Sequence, residues 1–102
     1  MVLERAQFRI TPGREDEFEQ AFAQAKLLLA GSRGFLGATL SRGVESASTY
    51  LLLVEWETLE DHTEGFRGSA GYQRWRELLH GFYDPFPTVA HFREVLTATA
   101  EG

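Results

Sequence analysis

The sequence predicts an α+β fold of one domain, with elements in the order β-α-β-β-α-β and a four-stranded antiparallel sheet. Three observations predict it. Stretches of period-two hydrophobicity alternate with stretches of helical spacing. The run YLLLV, Tyr50 to Val54, is continuously apolar, as a strand covered on both faces would be. And 102 residues suffice for one hydrophobic core but not two.

Val2 to Ile10 alternates, with Val2, Ala6, Phe8 and Ile10 on one face and Leu3, Arg5, Gln7 and Arg9 on the other, which describes a strand. Thr11-Pro12-Gly13 ends it. From Arg14 to Ala30, Phe18, Phe22, Ala25 and Leu28/Leu29 recur at helical spacing, and Glu15, Asp16 and Glu17 crowd the first turn, where the helix dipole favours negative charge. Gly31 is the stop signal. Phe35 to Arg42 reads as the second strand; Gly37 within it marks either a bulge or a close approach by a ligand or partner backbone. After a polar loop, Thr49 to Glu57 is the third strand, placing Tyr50, Leu52, Val54 and Trp56 on one face and Leu51, Leu53, Glu55 and Glu57 on the other.

Thr58 followed by Asp61 resembles a capping box. The helix it starts breaks near Gly68, and Ser69 caps a second segment from Ala70 to His80, with Tyr72, Trp75 and Leu79 on its buried stripe and Gly81 as its end. An aromatic, proline-stiffened loop, Phe82 to Pro87, leads to a last strand from Thr88 to Thr97. There Ala90, Phe92 and Leu96 face one way and Val89, His91, Arg93 and Val95 the other. Residues 97–102 read as a frayed tail. This order is the ferredoxin-like arrangement. Two helices cover one sheet face only, which leaves Leu3, Leu51, Leu53, Val89 and Val95 as an apolar patch, so a homodimer by sheet-to-sheet packing is expected.

Composition excludes several chemistries. There are no cysteines, hence no disulfide, thiolate metal site or cysteine nucleophile, in keeping with a reducing cytoplasm. The formal net charge is −5 and no basic run occurs, which argues against nucleic acid as a partner. No apolar stretch reaches the roughly 20 residues that span a bilayer, and the N-terminus lacks the apolar core of a signal peptide. His62, His80 and His91 are scattered, with no metal-ligand spacing. There is no glycine-rich phosphate loop, nucleophile elbow, or flavin or nicotinamide signature.

The chemistry-bearing residues therefore have to be weighed singly. His80, at a helix end, complements the dipole and reads as structural. His62 is either a surface helix residue or a pocket acid/base; His91 belongs to the dimer seam, to solvent or to a cavity. Trp56, Phe66, Tyr72 and Trp75 fill volume, or wall a pocket for a planar organic molecule. Arg67 and Arg76 are solvated helix residues, or fixed guanidinium groups that steady an anionic aromatic ligand.

The segments FRITPGREDEFEQAF, GFLGATL, YLLLVEWETLEDHTEGFRGSAGYQRWRELL and PFPTVAHF make nearly the whole chain similar to the antibiotic biosynthesis monooxygenase (ABM) superfamily of dimeric α/β barrels, with VEWETLEDH and FRGSAGYQRW the most specific parts. The resemblance implies ferredoxin-like protomers, sheet against sheet, with a pocket between sheet and helices in each. It also implies divergent functions, since some members oxidise polyketide anthrones with oxygen and no cofactor and others degrade haem. The positions matching the haem-degrading branch are Ala6, Phe66 and Arg76, none of the required type, so haem degradation is not expected. The anthrone-oxidising branch has a Trp matched by Trp56 and an Asn four residues earlier where Leu52 stands. The expectation is a monooxygenase-like protein acting without cofactor or metal on a small aromatic or quinol-type compound. Trp56, Phe66, Arg67, Tyr72, Trp75 and Arg76 would hold the substrate, and His62 or His91 would accept its proton. The alternative is a non-catalytic dimeric barrel that binds a metabolite or accompanies an enzyme.

Overall fold

A computed structural model describes residues 1–101. Four strands, β1 (Val2–Arg9), β2 (Phe35–Arg42), β3 (Thr49–Trp56) and β4 (Val89–Phe92), form one antiparallel sheet in the order β2-β3-β1-β4. Helices α1 (Glu15–Ala30) and α2 (Ala70–Leu79) cover one face. This is the α+β, ferredoxin-like arrangement the periodicities predict.

The alternation in β1 and β3 sets the layers. Val2, Glu4, Ala6 and Phe8 from β1 and Tyr50, Leu52, Val54 and Trp56 from β3 are buried beneath the helices. Phe18 of α1 sits at the centre, its ring 5.0 Å edge-on from Tyr50 and 5.8 Å from Phe82. Tyr50 reaches past it to donate a 2.6 Å hydrogen bond to Glu19, so its hydroxyl is satisfied although its ring is enclosed.

The β3–α2 connection departs from a regular helix. Thr58 and Asp61 form the expected reciprocal cap: the Asp61 N–H donates to Thr58 Oγ1 at 3.1 Å, and the Thr58 N–H donates to Asp61 Oδ2 at 3.2 Å. Asp61–Phe66 then winds as a π-helix, and Ser69 accepts the Tyr72 N–H at 3.2 Å to open α2. The Asp61 carboxylate lies where a Cβ on Gly34 would fall, and Gly34 has φ +79°, so glycine is required twice over at that position. Gly37 marks a register shift between β2 and β3, the bulge alternative, with nothing within 4 Å of the space where its Cβ would be. Helix α2 ends at Leu79 rather than His80, which begins a 3-10 turn, His80–Phe82, containing Gly81. The His80 ring hydrogen-bonds the Arg76 carbonyl, in keeping with a structural role.

The last strand corrects the sequence reading. It ends at Phe92, not Thr97, because Leu3 is already opposite Phe92 and β1 starts one residue further on, so the chain beyond finds no partner. Its faces are also reversed. Val89 lies opposite Ala6 and His91 opposite Glu4, both on the helix side; Val89 belongs to the core rather than to the open sheet face. Ala90 and Phe92 point to the open side instead, and Val95 lies outside the sheet, 88% exposed. Residues 97–101 have no regular structure; Gly102, the end of the expected tail, lies outside the described residues.

Candidate functional site

A small cavity of about 40 Å³ lies between the sheet and the helices. It follows β1 from Glu4 past Ala6 to Phe8, with Leu52 opposite Ala6 on the floor. Phe66, Tyr72 and Trp75 wall the helix side, their rings packed edge-on at 5.6 Å from Phe66. Tyr83, Phe86, Pro87 and Val89 close the far end, where Tyr83 packs 5.0 Å from Phe8. Glu4, His62 and Arg67 supply charge and polarity at the near end.

Glu4 is the residue the sequence reading missed. It sits on the apolar face of β1, between Val2 and Ala6, and is only 6% exposed. Period-two parity alone places it inward; the alternation of β1 is apolar at every inward position except this one. Its Oε1 accepts the Trp56 Nε1–H at 3.0 Å and lies 3.3 Å from His62 Nε2. Among the described residues no group hydrogen-bonds Oε2, and it is not a buried orphan. Burial raises the Glu4 pKa above the ordinary 4.5, while the Trp56 hydrogen bond and the Arg67 charge restrain the rise.

His62 is fixed from three sides. Trp56 stacks on its ring, centroids 5.4 Å apart and planes within 18°. Its Nδ1 hydrogen-bonds His91 Nε2 at 2.8 Å, and its Nε2 faces Glu4. Burial first, then the positive charge of Arg67 and the proximity of His91, push its pKa down to about 3. At neutral pH it is therefore an uncharged imidazole beside a carboxylate, not half of an ion pair. His91 is lowered in the same direction by burial and by Arg67. Tyr83 is pushed up to about 12, chiefly by burial and also by neighbouring Tyr72, so its hydroxyl keeps its proton.

This electrostatic arrangement makes stability pH-dependent. Unfolded His62 takes a proton below about pH 6.5, whereas the folded form refuses it down to about pH 3. The stabilisation is thus complete above pH 6.5 and lost as pH falls from there towards 3. Glu4 has the opposite sign: its raised folded pKa favours the folded state as pH falls towards 4.5. At pH 5 the His62 contribution alone is a loss of about 2 kcal/mol, at ~1.4 kcal/mol per pH unit. Urea titrations should place the unfolding free energy lower at pH 5 than at pH 7.5, by up to about 2 kcal/mol with Glu4 acting against the loss, and His62→Gln should flatten that slope. A parent protein equally stable at both pH values would contradict the assigned protonation states.

The structure brings together Phe66, Arg67, Tyr72, Trp75 and His62 as cavity lining. His91 lies one hydrogen bond behind, on a separate surface hollow with Val2, Leu59, Phe92 and Arg93. Trp56 is fully enclosed and does not line the cavity; it holds Glu4 and His62 in place. Arg76 does not line it either, although its charge reaches Tyr83. Two of the positions whose side chains depart from the characterised branches, Ala6 and Leu52, face one another across the cavity floor. The polar group stands one pair along the sheet, at Glu4 opposite Val54.

Among the described residues, no three His, Cys, Asp or Glu side chains are grouped to hold a metal ion, and no helix is long and apolar enough to cross a membrane.

Comparison with known proteins places this architecture. The family model described as antibiotic biosynthesis monooxygenase matches residues 1–78. YczJ of Bacillus subtilis, an uncharacterized protein, is 58% identical over 95 residues, covering 93% of this chain and all of that one. A Bordetella bronchiseptica structure named for the same family superposes with a TM-score of 0.89 at 40% identity, over 93% of this chain and 97% of that chain. SnoaB, a cofactor-independent oxygenase from Streptomyces nogalater, shares the fold, with a TM-score of 0.83 at 21% identity over 94% of each chain. The chain belongs to the antibiotic biosynthesis monooxygenase family.

Proposed function

We propose that the protein is a cofactor-independent monooxygenase-like enzyme acting on a small, electron-rich aromatic or quinol-type compound. The observation that carries this reading is a buried carboxylate, Glu4, aimed into an aromatic cavity and held by Trp56 and His62. A carboxylate whose pKa is raised by burial is a better base at neutral pH than an exposed one. Glu4 Oε2 takes the acidic proton of the substrate. Arg67 and the Tyr72 hydroxyl steady the resulting anion, a task for fixed donors in a small, largely apolar site. The carbanion passes an electron to oxygen, the pair combines as a peroxide, and loss of water leaves a carbonyl. For an anthrone the balance closes without any further reductant: the ring methylene and one dioxygen give one ring carbonyl and one water. His62, expected from sequence as a proton acceptor, serves behind Glu4 in this scheme. Trp56 sets the geometry, and Phe66 and Trp75 hold the substrate plane.

The cavity of about 40 Å³ holds a few waters, far below the ~300–1,000 Å³ usual for ligand sites. Substrate therefore enters by displacing the loop side chains at the far end, above all Phe86, which is 58% exposed and has little packing to lose. That same tightness is the observation favouring the rival reading, a non-catalytic barrel.

The protein acts as a homodimer through its open sheet face. Leu3, Leu51, Leu53 and Phe92, the last 49% exposed, lie on that side, with Leu3 beside Phe92, and the helices leave it uncovered.

Oxygen uptake with dithranol, an anthrone that oxidises slowly unaided, tests the activity. Consumption of one dioxygen per anthrone, well above the unaided rate, is expected. No acceleration with dithranol or any member of an anthrone, naphthol and hydroquinone panel would leave the non-catalytic reading standing.

A further inference from the structure

We infer that Glu4, His62 and His91 form a proton relay through the wall of the protomer, and that His91 is its outer terminus. The geometry is specific. His62 lines the inner cavity, is 4% exposed, and has both ring nitrogens occupied, Nε2 facing Glu4 Oε1 and Nδ1 bonded to His91 Nε2. It cannot exchange a proton with water directly. His91 lines a different hollow, at the surface beside Val2, Leu59, Phe92 and Arg93, and among the described residues its Nδ1 has no hydrogen-bond partner. The two rings thus join the cavity to the exterior on the side away from the Phe86 mouth. The 3.3 Å Glu4–His62 separation is of the kind that shortens when a ligand-free site closes.

The charged and titratable groups facing His62 are Glu4 from β1, His91 from β4 and Arg67 from the turn before α2. The Arg67 charge disfavours an imidazolium at both rings, so the proton moves by exchange along the chain rather than resting on it. In the outward step the Glu4 carboxyl turns about its Cγ–Cδ bond, so that the proton taken at Oε2 faces His62 Nε2 and the other oxygen accepts the Trp56 Nε1–H; the proton passes to Nε2, His62 Nδ1–H passes to His91 Nε2, and His91 Nδ1–H passes to water. No electrons move, and Glu4 returns to carboxylate.

Trp56 stacking keeps the His62 ring from turning over. A chain of fixed rings carries one proton one way and must then carry one back. The reaction proposed above, on which this role rests, asks for that sequence. The substrate proton leaves as the carbanion forms, and a proton returns through Glu4 when the peroxide anion becomes the hydroperoxide, so each turnover resets the relay. His91 touches no reacting atom; it is a positioning residue acting through His62.

His91→Gln tests the inference, since glutamine keeps an amide to hydrogen-bond His62 but cannot pass a proton on. In the full-length protein labelled with nitrogen-15, exchange of the His62 ring N–H with water should slow about tenfold or more, with the fold unchanged by circular dichroism. His91→Asn serves as the second variant should the first not fold. With dithranol, turnover should fall about tenfold with KM preserved, the pH profile should change shape, and added imidazole should restore part of the rate. Unchanged His62 exchange in the variants overturns the relay. Slowed exchange in the variants, with a parent that oxidises no anthrone or quinol, would leave the relay standing and remove the catalytic reading.

Discussion

Glu4→Gln should yield a folded protein that still binds dithranol but oxidises it about 10²–10⁴ times more slowly than the parent. The amide oxygen of glutamine can accept the Trp56 Nε1–H as Glu4 Oε1 does at 3.0 Å, so the contact that fixes the side chain survives. What disappears is the only carboxylate among the described residues that line the cavity, and with it the base. Stability should hold or rise slightly, because a buried charge whose pKa is raised by desolvation is being removed. Oxygen-electrode rates beside urea melts separate the two effects. Turnover within twofold of the parent, in a variant that melts normally, would mean that Glu4 is a structural acid and that the proton goes elsewhere. The substitution also separates Glu4 from Trp56: Trp56→Phe should keep the base and lose only its orientation, giving a smaller fall in rate.

Leu53→Arg should turn the proposed dimer into a folded monomer. Leu53 lies in β3, the second strand of the sheet, opposite Thr39 and Arg5, with its side chain on the open face. In a two-fold dimer each substitution occurs twice in one interface, so two unpaired guanidinium groups would be buried together. Leaving a buried charge without a partner costs about 3–5 kcal/mol, hence a weakening of dimerisation by at least about two orders of magnitude. Sedimentation equilibrium at micromolar concentration reads the change. Circular dichroism should remain that of the parent, because Leu53 contributes nothing to the buried cluster on the helix side. A parent that already sediments as a monomer would remove the dimer, and the open sheet face would then be simply solvated.

The sequence carried most of the architecture, and the reasons are local. Alternation in Val2 to Ile10 and Thr49 to Trp56 identifies the central strands and their inward faces, because a pleated chain offers only two sides. Thr58, Asp61 and Ser69 are capping residues whose hydrogen bonds span three positions or fewer, and each is made as read. The last strand was less legible. Val89 to Phe92 has apolar residues on both faces, so pattern alone does not choose between them; the choice comes from pairing with β1, where Ala6 fixes Val89 and Glu4 fixes His91. Its end, too, is set by where β1 begins rather than by any stop residue of its own.

The candidate site divides along the same line. The sequence by itself determined the fold and the inward faces of the central strands, and it marked Phe66, Tyr72 and Trp75 as residues that either fill the core or wall a pocket. Those depend on periods of two and 3.6 residues, which are written along the chain. Only the tertiary structure decided that Trp56 is a support and not a wall, that Arg67 rather than Arg76 reaches the cavity, and that Glu4, His62 and His91 meet. Those three residues come from β1, the π-helical turn and β4, positions 4, 62 and 91 of the chain. Their meeting rests on strand register and on the wider turn of the π-helix, both set by packing across the whole molecule and by no stretch of sequence alone.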